Sequence, residues 1–237
     1  MKNIIICILS FLITCEICAQ EQNTATKIDN DVSSYFELVN VFSVIYSGKE
    51  EPKYTKLFVN HPYLNTDEFR KGLISYENRV YPDVMLRLNQ EKEELIILSP
   101  DSRFSVIVPR DRLDYAIIDS LLIVYDRPES ADGKTLPQGY YIRVHNGDCQ
   151  VWKREKYLQL TKTKDYQMIN EFEKKIWRYI YKNGIFHQVR SKKSVLKVFD
   201  TNKKELNSYI KQHGLNFRKN PEAAIVALTY YYDELNK

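Results

Sequence analysis

Residues 140–152, YYIRVHNGDCQVW, and residues 177–187, WRYIYKNGIFH, decide the fold class of this chain. Each stretch places β-branched and aromatic residues on both sides of an Asn-Gly pair. Both central residues of a type I′ turn need a positive φ, which Asn-Gly adopts easily. Each stretch is therefore predicted to form a β-hairpin, with its turn at residues 146–147 or 183–184.

Counting outward from each turn predicts which residues face each other across the hairpin. The predicted pairs are His145 with Asp148, Val144 with Cys149 and Ile142 with Val151 in the first hairpin, and Tyr181 with Phe186 and Ile180 with His187 in the second. His145 and Asp148 should then form an exposed ion pair across the first hairpin.

Strand patterns also run through residues 56–125. Along residues 84–89, VMLRLN, apolar side chains alternate with period two, which indicates a strand with one buried face. Pro82 has no N–H for a ladder and should lie at an edge or a bulge. The pattern predicts a mainly β (α+β) fold, an antiparallel curved sheet or open barrel of roughly eight to eleven strands. A β-sandwich is the alternative architecture.

The C-terminal segment changes from strand to helix periodicity. Thr201 is the predicted N-cap of one helix, and Gly214 is its stop signal. Asn220 and Pro221 are typical of the start of a second helix. Its apolar stripe consists of Ala224, Ile225, Leu228, Tyr231, Tyr232 and Leu235. These patterns predict two C-terminal helices that pack on the sheet.

The N-terminus has the features of a signal peptide. Lys2 precedes an apolar run at residues 4–13 that is too short to span a bilayer. Cleavage is expected after Ala19, which places the protein in the periplasm or cell envelope with no transmembrane segment in the mature chain. A lipobox requires a small Gly or Ala at Thr14, so we expect no lipidation at Cys15.

These features divide the chain into four predicted parts. Residues 1–19 are the signal peptide, residues 20–31 a flexible lead-in, residues 32–190 the antiparallel β domain and residues 191–237 the helical segment packed on the sheet. Residues 32–45 fit a helix and a strand equally well.

Composition excludes several classes of protein. The formal net charge of +4 on 35 basic and 31 acidic residues supplies no broad field for nucleic acid, and we expect no such partner. Three of the 4 cysteines lie in the predicted signal peptide, so Cys149 alone remains and no disulfide can form within the mature chain. No His or Cys spacing is typical of a metal site. We expect no cofactor and no metal.

Catalytic motifs are missing as well. The chain has no nucleophile elbow, no zinc-protease helix motif and no glycine-rich phosphate loop. His61 lies in a predicted loop, where a turn role is the simpler interpretation. Carboxylates are plentiful, but the sequence does not show which of them converge. They are Glu91, Glu93, Glu94, Asp111, Asp114, Asp126 and Glu129.

The chain contains 18 Tyr, many of them on predicted strands. Aromatic side chains on strands pack in the core, and they also build binding faces. The candidate ligand-binding face consists of Tyr140, Trp152, Trp177, Tyr179 and Tyr181. We expect a non-catalytic binding or scaffolding module, whose partner is an envelope protein or an apolar or glycan ligand. The alternative is an exported hydrolase with an unrecognised carboxylate or His site.

Four passages together point to a resemblance. They are residues 61–63, HPY, residues 69–72, FRKG, residues 74–87, ISYENRVYPDVMLR, and the tail at residues 192–232. The chain resembles a group of uncharacterised exported proteins common in the Bacteroidota, which share hairpins and closing helices. The resemblance implies an envelope location, and it implies no activity or catalytic residue.

Overall fold

The computed structural model describes residues 44–126, 130–132, 134–199 and 201–237. The chain forms two compact units, residues 1–47 and 48–237. In the first unit, the described residues form a short 3₁₀ helix at Val44–Tyr46, where Ser47 donates from its N–H to the Val44 carbonyl. The predicted signal peptide, the lead-in, Cys15 and residues 32–43 lie outside the described residues.

Within the described part of the second unit, ten strands form one antiparallel sheet in the order β10-β9-β8-β7-β6-β5-β1-β2-β3-β4. The strands are β1 (Arg70–Tyr76), β2 (Arg79–Asn89), β3 (Glu94–Leu98), β4 (Ser105–Ile107), β5 (Leu113–Ile118), β6 (Leu121–Asp126), β7 (Gly139–His145), β8 (Gln150–Lys164), β9 (Gln167–Lys182) and β10 (Ile185–Val189). The sheet is not closed, and β4 and β10 are its edges. The predicted mainly antiparallel fold is confirmed, as one sheet rather than two.

Three helices follow the sheet, one more than predicted. They are α1 (Lys192–Val198), α2 (Lys203–Gln212) and α3 (Pro221–Leu235). The additional helix α1 begins with a capping box, in which the Ser191 and Ser194 side chains each bond the other's backbone N–H. The start of α3 agrees with its prediction, since the Asn220 side chain accepts from the Ala223 N–H at 3.4 Å. None of the described helices is long and apolar enough to span a membrane.

The helices pack on the β8–β10 end of the sheet. Val151 and Ile180 of the sheet are 1% and 0% exposed, and both lie in one apolar core with side chains of all three helices. The Phe199 and Tyr232 rings stack across this core with their centroids 4.2 Å apart. Burial of this apolar face stabilises the helices on the sheet.

The predicted strand register is confirmed in one of the two Asn-Gly hairpins and is wrong in the other. In the second hairpin, Tyr181 pairs with Phe186 as predicted, and Asn183 and Gly184 both have positive φ. In the first hairpin the predicted register is wrong, because His145 pairs with Val151 across a wider loop.

The wider loop has a tertiary cause. The carboxylate of Asp233, on α3, accepts the Cys149 N–H at 3.1 Å, and it lies 3.7 Å from His145 Nε2. A Cβ built on Gly147 would collide with the same carboxylate. Gly147 is thus required for close approach of the helix, and His145 faces Asp233 instead of the predicted Asp148.

The sheet curls strongly along its width. The β3 residue Leu95 donates from its backbone N–H to Tyr140 Oη of β7 at 3.3 Å, although four strands separate β3 from β7 in the sheet order. Arg154 of β8 reaches Glu93, next to β3, at 2.8 Å. Pro82 lies between two shifted stretches of the β1–β2 ladder and is followed by Asp83 at φ 59°, as expected for a bulge. This curvature brings distant strands around one cleft.

Candidate ligand-binding site

A cleft of about 1170 Å³ opens where the curled sheet brings β3, β6, β8 and β10 together. We call it the acidic cleft, because it is lined by four carboxylate residues and one arginine. These charged residues are Glu94, Arg110, Asp111, Asp114 and Asp126. Its aromatic lining consists of Tyr125, Trp152 and Phe186. The volume lies slightly above the usual range for small-molecule sites, which is about 300 to 1000 Å³.

Arg110 is held rigidly at the wall of this cleft. It begins the short 3₁₀ helix Arg110–Arg112, directly after Pro109. Its Nη2 donates to the Lys92 carbonyl at 2.8 Å, and its Nη1 donates to Tyr125 Oη at 3.4 Å. The guanidinium carbon also lies 5.1 Å from the Tyr125 ring centroid. A guanidinium fixed by two hydrogen bonds and a ring loses little conformational entropy when it binds a ligand.

Glu94 differs from the other carboxylates of the cleft. Its Oε2 is buried and has no hydrogen-bond partner among the described residues. Burial raises the pKa of Glu94 above its ordinary value of 4.5, although Lys92 and Arg110 act in the opposite direction. An unsatisfied buried acceptor costs free energy unless a ligand or water supplies a donor. Glu94 is therefore the residue of the cleft best suited to accept a hydrogen bond from a ligand.

The remaining acids of the cleft are less available or more exposed. Asp114 accepts from Ser75 Oγ and from the Asn78 N–H, each at 2.8 Å, so it is occupied in holding the β1–β2 turn. Asp111 is exposed on the 3₁₀ helix. Among the described residues, no group of three or more His, Cys, Asp or Glu could hold a metal ion.

The aromatic wall of the cleft comes from β8 and β10. Trp152 is oriented by a hydrogen bond from its Nε1 to Gln150 Oε1 at 2.9 Å. Its ring lies 6.4 Å from that of Phe186 in an edge-on arrangement, and Phe186 lies 4.6 Å from Tyr181. The wall is thus a continuous, partly exposed aromatic surface beside a carboxylate and a guanidinium.

The predicted aromatic face is only partly brought together. Trp152 lines the acidic cleft, whereas Trp177 and Tyr179 line a second cleft of about 720 Å³. Tyr140 is 3% exposed and supports Tyr125, with ring centroids 4.8 Å apart. Tyr181 packs on Phe186. Phe186 itself lines both clefts, so the predicted face is divided between two adjoining clefts.

The sequence did not identify Arg110 and Phe186 as site residues, and it did not separate Glu94 from six other acids. No local pattern distinguishes them, because their significance comes from the curl of the sheet. The two other candidates for chemistry, His61 and Cys149, do not have the surroundings of reactive groups. His61 Nδ1 accepts the Tyr63 N–H at 3.3 Å within its turn. Burial, with Asp233 adding to it, raises the pKa of the Cys149 thiol to about 12, far above that of a reactive cysteine.

Comparison of the chain with models of known protein families, with curated proteins and with solved structures finds no match in any of the three.

Proposed function

We propose that this protein is an exported, non-catalytic binding module of the cell envelope whose acidic cleft takes a glycan-like ligand. One observation carries the proposal: Trp152 and Phe186 line the same open cleft as Arg110 and as Glu94, whose buried Oε2 has no hydrogen-bond partner among the described residues. The signal-peptide pattern of residues 1–19 supports export.

The chemistry of a sugar fits this lining. A pyranose ring has apolar C–H faces, which pack on aromatic rings, and hydroxyl groups at its edges. Those hydroxyls can donate to Glu94 and accept from Arg110, so the buried Oε2 of Glu94 gains a partner that the described part of the chain does not supply. A purely apolar ligand would leave Glu94 unsatisfied, and we therefore favour the glycan over the apolar ligand.

The experiment is a glycan array with the purified protein, followed by titration of each hit against tryptophan fluorescence. The chain has 2 Trp, so W177F leaves Trp152 as the only reporter in the acidic cleft. We expect binding to change this emission and Phe186→Ala to weaken it at least about tenfold. The control is Tyr166→Ser, which removes a fully exposed aromatic ring from the β8–β9 turn. Equal effects of the two substitutions, or the absence of any hit, would contradict the proposal.

A hydrolase remains the second candidate, because one observation favours it. The raised pKa of Glu94 is the property that a general acid needs, and the Asp111 and Asp126 carboxylates line the same cleft. Incubating each bound glycan with the protein and analysing it by mass spectrometry separates the two functions. Intact ligand supports binding alone, whereas cleavage that is lost in Glu94→Gln supports the hydrolase.

Export is tested separately. The protein recovered from fractionated cells should lie in the envelope or periplasmic fraction and should begin at Gln20 by N-terminal sequencing. Recovery from the cytosol with Met1 intact would contradict the proposed location.

A further inference from the structure

Beside the acidic cleft lies a surface of the opposite charge, along the edge strand β10. The second cleft is lined by the aromatic residues Trp177 and Tyr179 together with Arg190 and Lys197. A smaller cleft of about 370 Å³ shares Trp177 and Arg190 with it and adds Lys175 and Arg178. We call the two together the basic cleft. Their only described acidic lining residue is Asp132.

The charges of the basic cleft are largely uncompensated. Asp132 is already paired with Lys134, with Nζ 2.7 Å from Oδ2. Among the described residues, no carboxylate lies within 4.0 Å of the charged groups of Lys175, Arg190 or Lys197. Arg178 pairs with Lys153 across the β8–β9 ladder and lies on the opposite face of β9 from Trp177. The uncompensated cations beside the Trp177 ring are therefore Arg190 and Lys197.

The surroundings of His187 agree with a positive local potential. His187 lines the second cleft. Burial lowers its pKa below the ordinary value; Asp132 partly opposes this, while Lys182 and Lys134 lower the pKa further. A neutral imidazole beside several cations leaves a hydrogen-bonding ring at the wall without adding charge.

We infer that the basic cleft is a second binding site, which takes a ligand carrying phosphate or sulfate groups on a ring-shaped body. Arg190 and Lys197 contact the anionic groups, and the partly exposed Trp177 ring packs against the body of the ligand. Arginine binds tetrahedral oxyanions through paired N–H groups, and lysine contributes a point charge. This site does not depend on the acidic cleft, since the two share only Phe186.

The test uses W152F, which leaves Trp177 as the only tryptophan. The soluble probe is inositol hexakisphosphate, and uncharged myo-inositol is its matched control. Phosphatidylglycerol vesicles, compared with phosphatidylcholine vesicles, test whether the anion is a lipid headgroup. We expect inositol hexakisphosphate to change the Trp177 emission, and raised salt to weaken binding because it screens exposed charges.

The double substitution R190Q and K197Q should weaken binding at least about tenfold, because two charge-assisted contacts are lost. K211Q with K219Q removes the same charge from exposed positions elsewhere and should leave binding nearly unchanged. Binding to phosphatidylglycerol vesicles alone would assign the site to a lipid headgroup. The inference is overturned if neither anionic probe binds, or if both double variants bind equally weakly. Failure here leaves the acidic cleft untouched, because W177F reports on that site separately.

Discussion

At the scale of single residues, burial holds the Glu94 carboxyl where its ionised form is disfavoured. Burial raises the pKa of Glu94, and its Oε2 has no hydrogen-bond partner among the described residues, so this side chain costs the fold stability. Residues kept in unfavourable surroundings are common at binding sites, where the ligand restores what the fold lacks.

Glu94→Gln should therefore stabilise the protein at pH 7. The folded-state pKa of Glu94 lies above its ordinary value of 4.5, so ionisation on raising the pH destabilises the native state. The increase in the free energy of unfolding caused by Glu94→Gln should be present above this pKa, and it should vanish as the pH falls below about 4.5. Urea unfolding at pH 7 and pH 4 measures it, with the exposed Glu173→Gln as control. A loss of stability at pH 7 would contradict this account of Glu94.

Asp233→Ala should destabilise the protein by about 1 to 3 kcal/mol, because it leaves the buried Cys149 N–H without an acceptor. Asp233→Asn keeps one oxygen and should lose less. Thermal unfolding compares both with Glu234→Ala, which changes an exposed neighbour on the same helix. If Asp233→Ala behaves like Glu234→Ala, the helix does not organise the loop at residues 146–149.

At the scale of elements, a buried ionic network joins the central strands to α3. Glu155 is 5% exposed and pairs with Lys153 at 3.1 Å and with Lys174 at 3.0 Å. Lys153 continues to Glu222 on α3 at 3.1 Å. This network acts in addition to the apolar core that the helices cover. It joins the first turn of α3 to β8 and so fixes where the helix begins relative to that strand. Buried ion pairs are strongly destabilised when one partner is removed.

Glu155→Gln should lower the free energy of unfolding by about 3 kcal/mol at pH 7. Burial alone would raise the pKa of Glu155, but Lys153 and Lys174 bring it below the ordinary value of 4.5. A lowered folded-state pKa gives stability that is present above pH 4.5 and is lost as the pH falls through the folded pKa. The variant should therefore lose less stability than the native chain between pH 5 and pH 3, which denaturant titrations would show.

The matched control is Glu171→Gln, on the same β8–β9 hairpin. Glu171 pairs with Lys162 on an exposed surface, so its loss should change stability little. A Glu155→Gln variant that resembles this control, or that follows the acid dependence of the native chain, would contradict the proposed role of the network.

At the scale of the whole compact unit of residues 48–237, the curl of the sheet creates the acidic cleft. Glu93 stabilises this curl by joining the start of β3 to β8, because it pairs with Arg154 at 2.8 Å and with Lys156 at 3.1 Å. Leu95 and Tyr140 add a hydrogen bond between β3 and β7. The cleft is thus held open and shaped by contacts between strands that are not neighbours in the sheet.

Glu93→Ala should destabilise the protein by about 3 to 5 kcal/mol, since it leaves the largely buried Arg154 guanidinium without its carboxylate. It should also change the Trp152 emission of the W177F protein, because the strands on the two sides of the cleft separate. Denaturant unfolding and fluorescence measure the two effects. Asp119→Ala, which removes the more exposed pair with Arg70, should do neither. Loss of stability with unchanged Trp152 emission would show that Glu93 does not shape the cleft.

Local patterns determined much of the fold in advance. The antiparallel sheet, the Asn183-Gly184 hairpin, the bulge after Pro82 and the Asn220 cap follow from periodicity and turn chemistry, which act between residues near in sequence. Where the predicted Asn146-Gly147 turn did not form, the Asp233 carboxylate, which bonds Cys149 across 84 residues of sequence, outweighed the local preference.

The sequence by itself determined that this chain forms an antiparallel sheet covered by C-terminal helices, and that its aromatic residues lie on strands. Only the tertiary structure decided that Glu94 and Arg110 meet Trp152 and Phe186 in one cleft, while Trp177 joins a basic one. The physical reason is that curvature and register sum over ten strands, so the convergence of distant side chains is a property of the whole sheet.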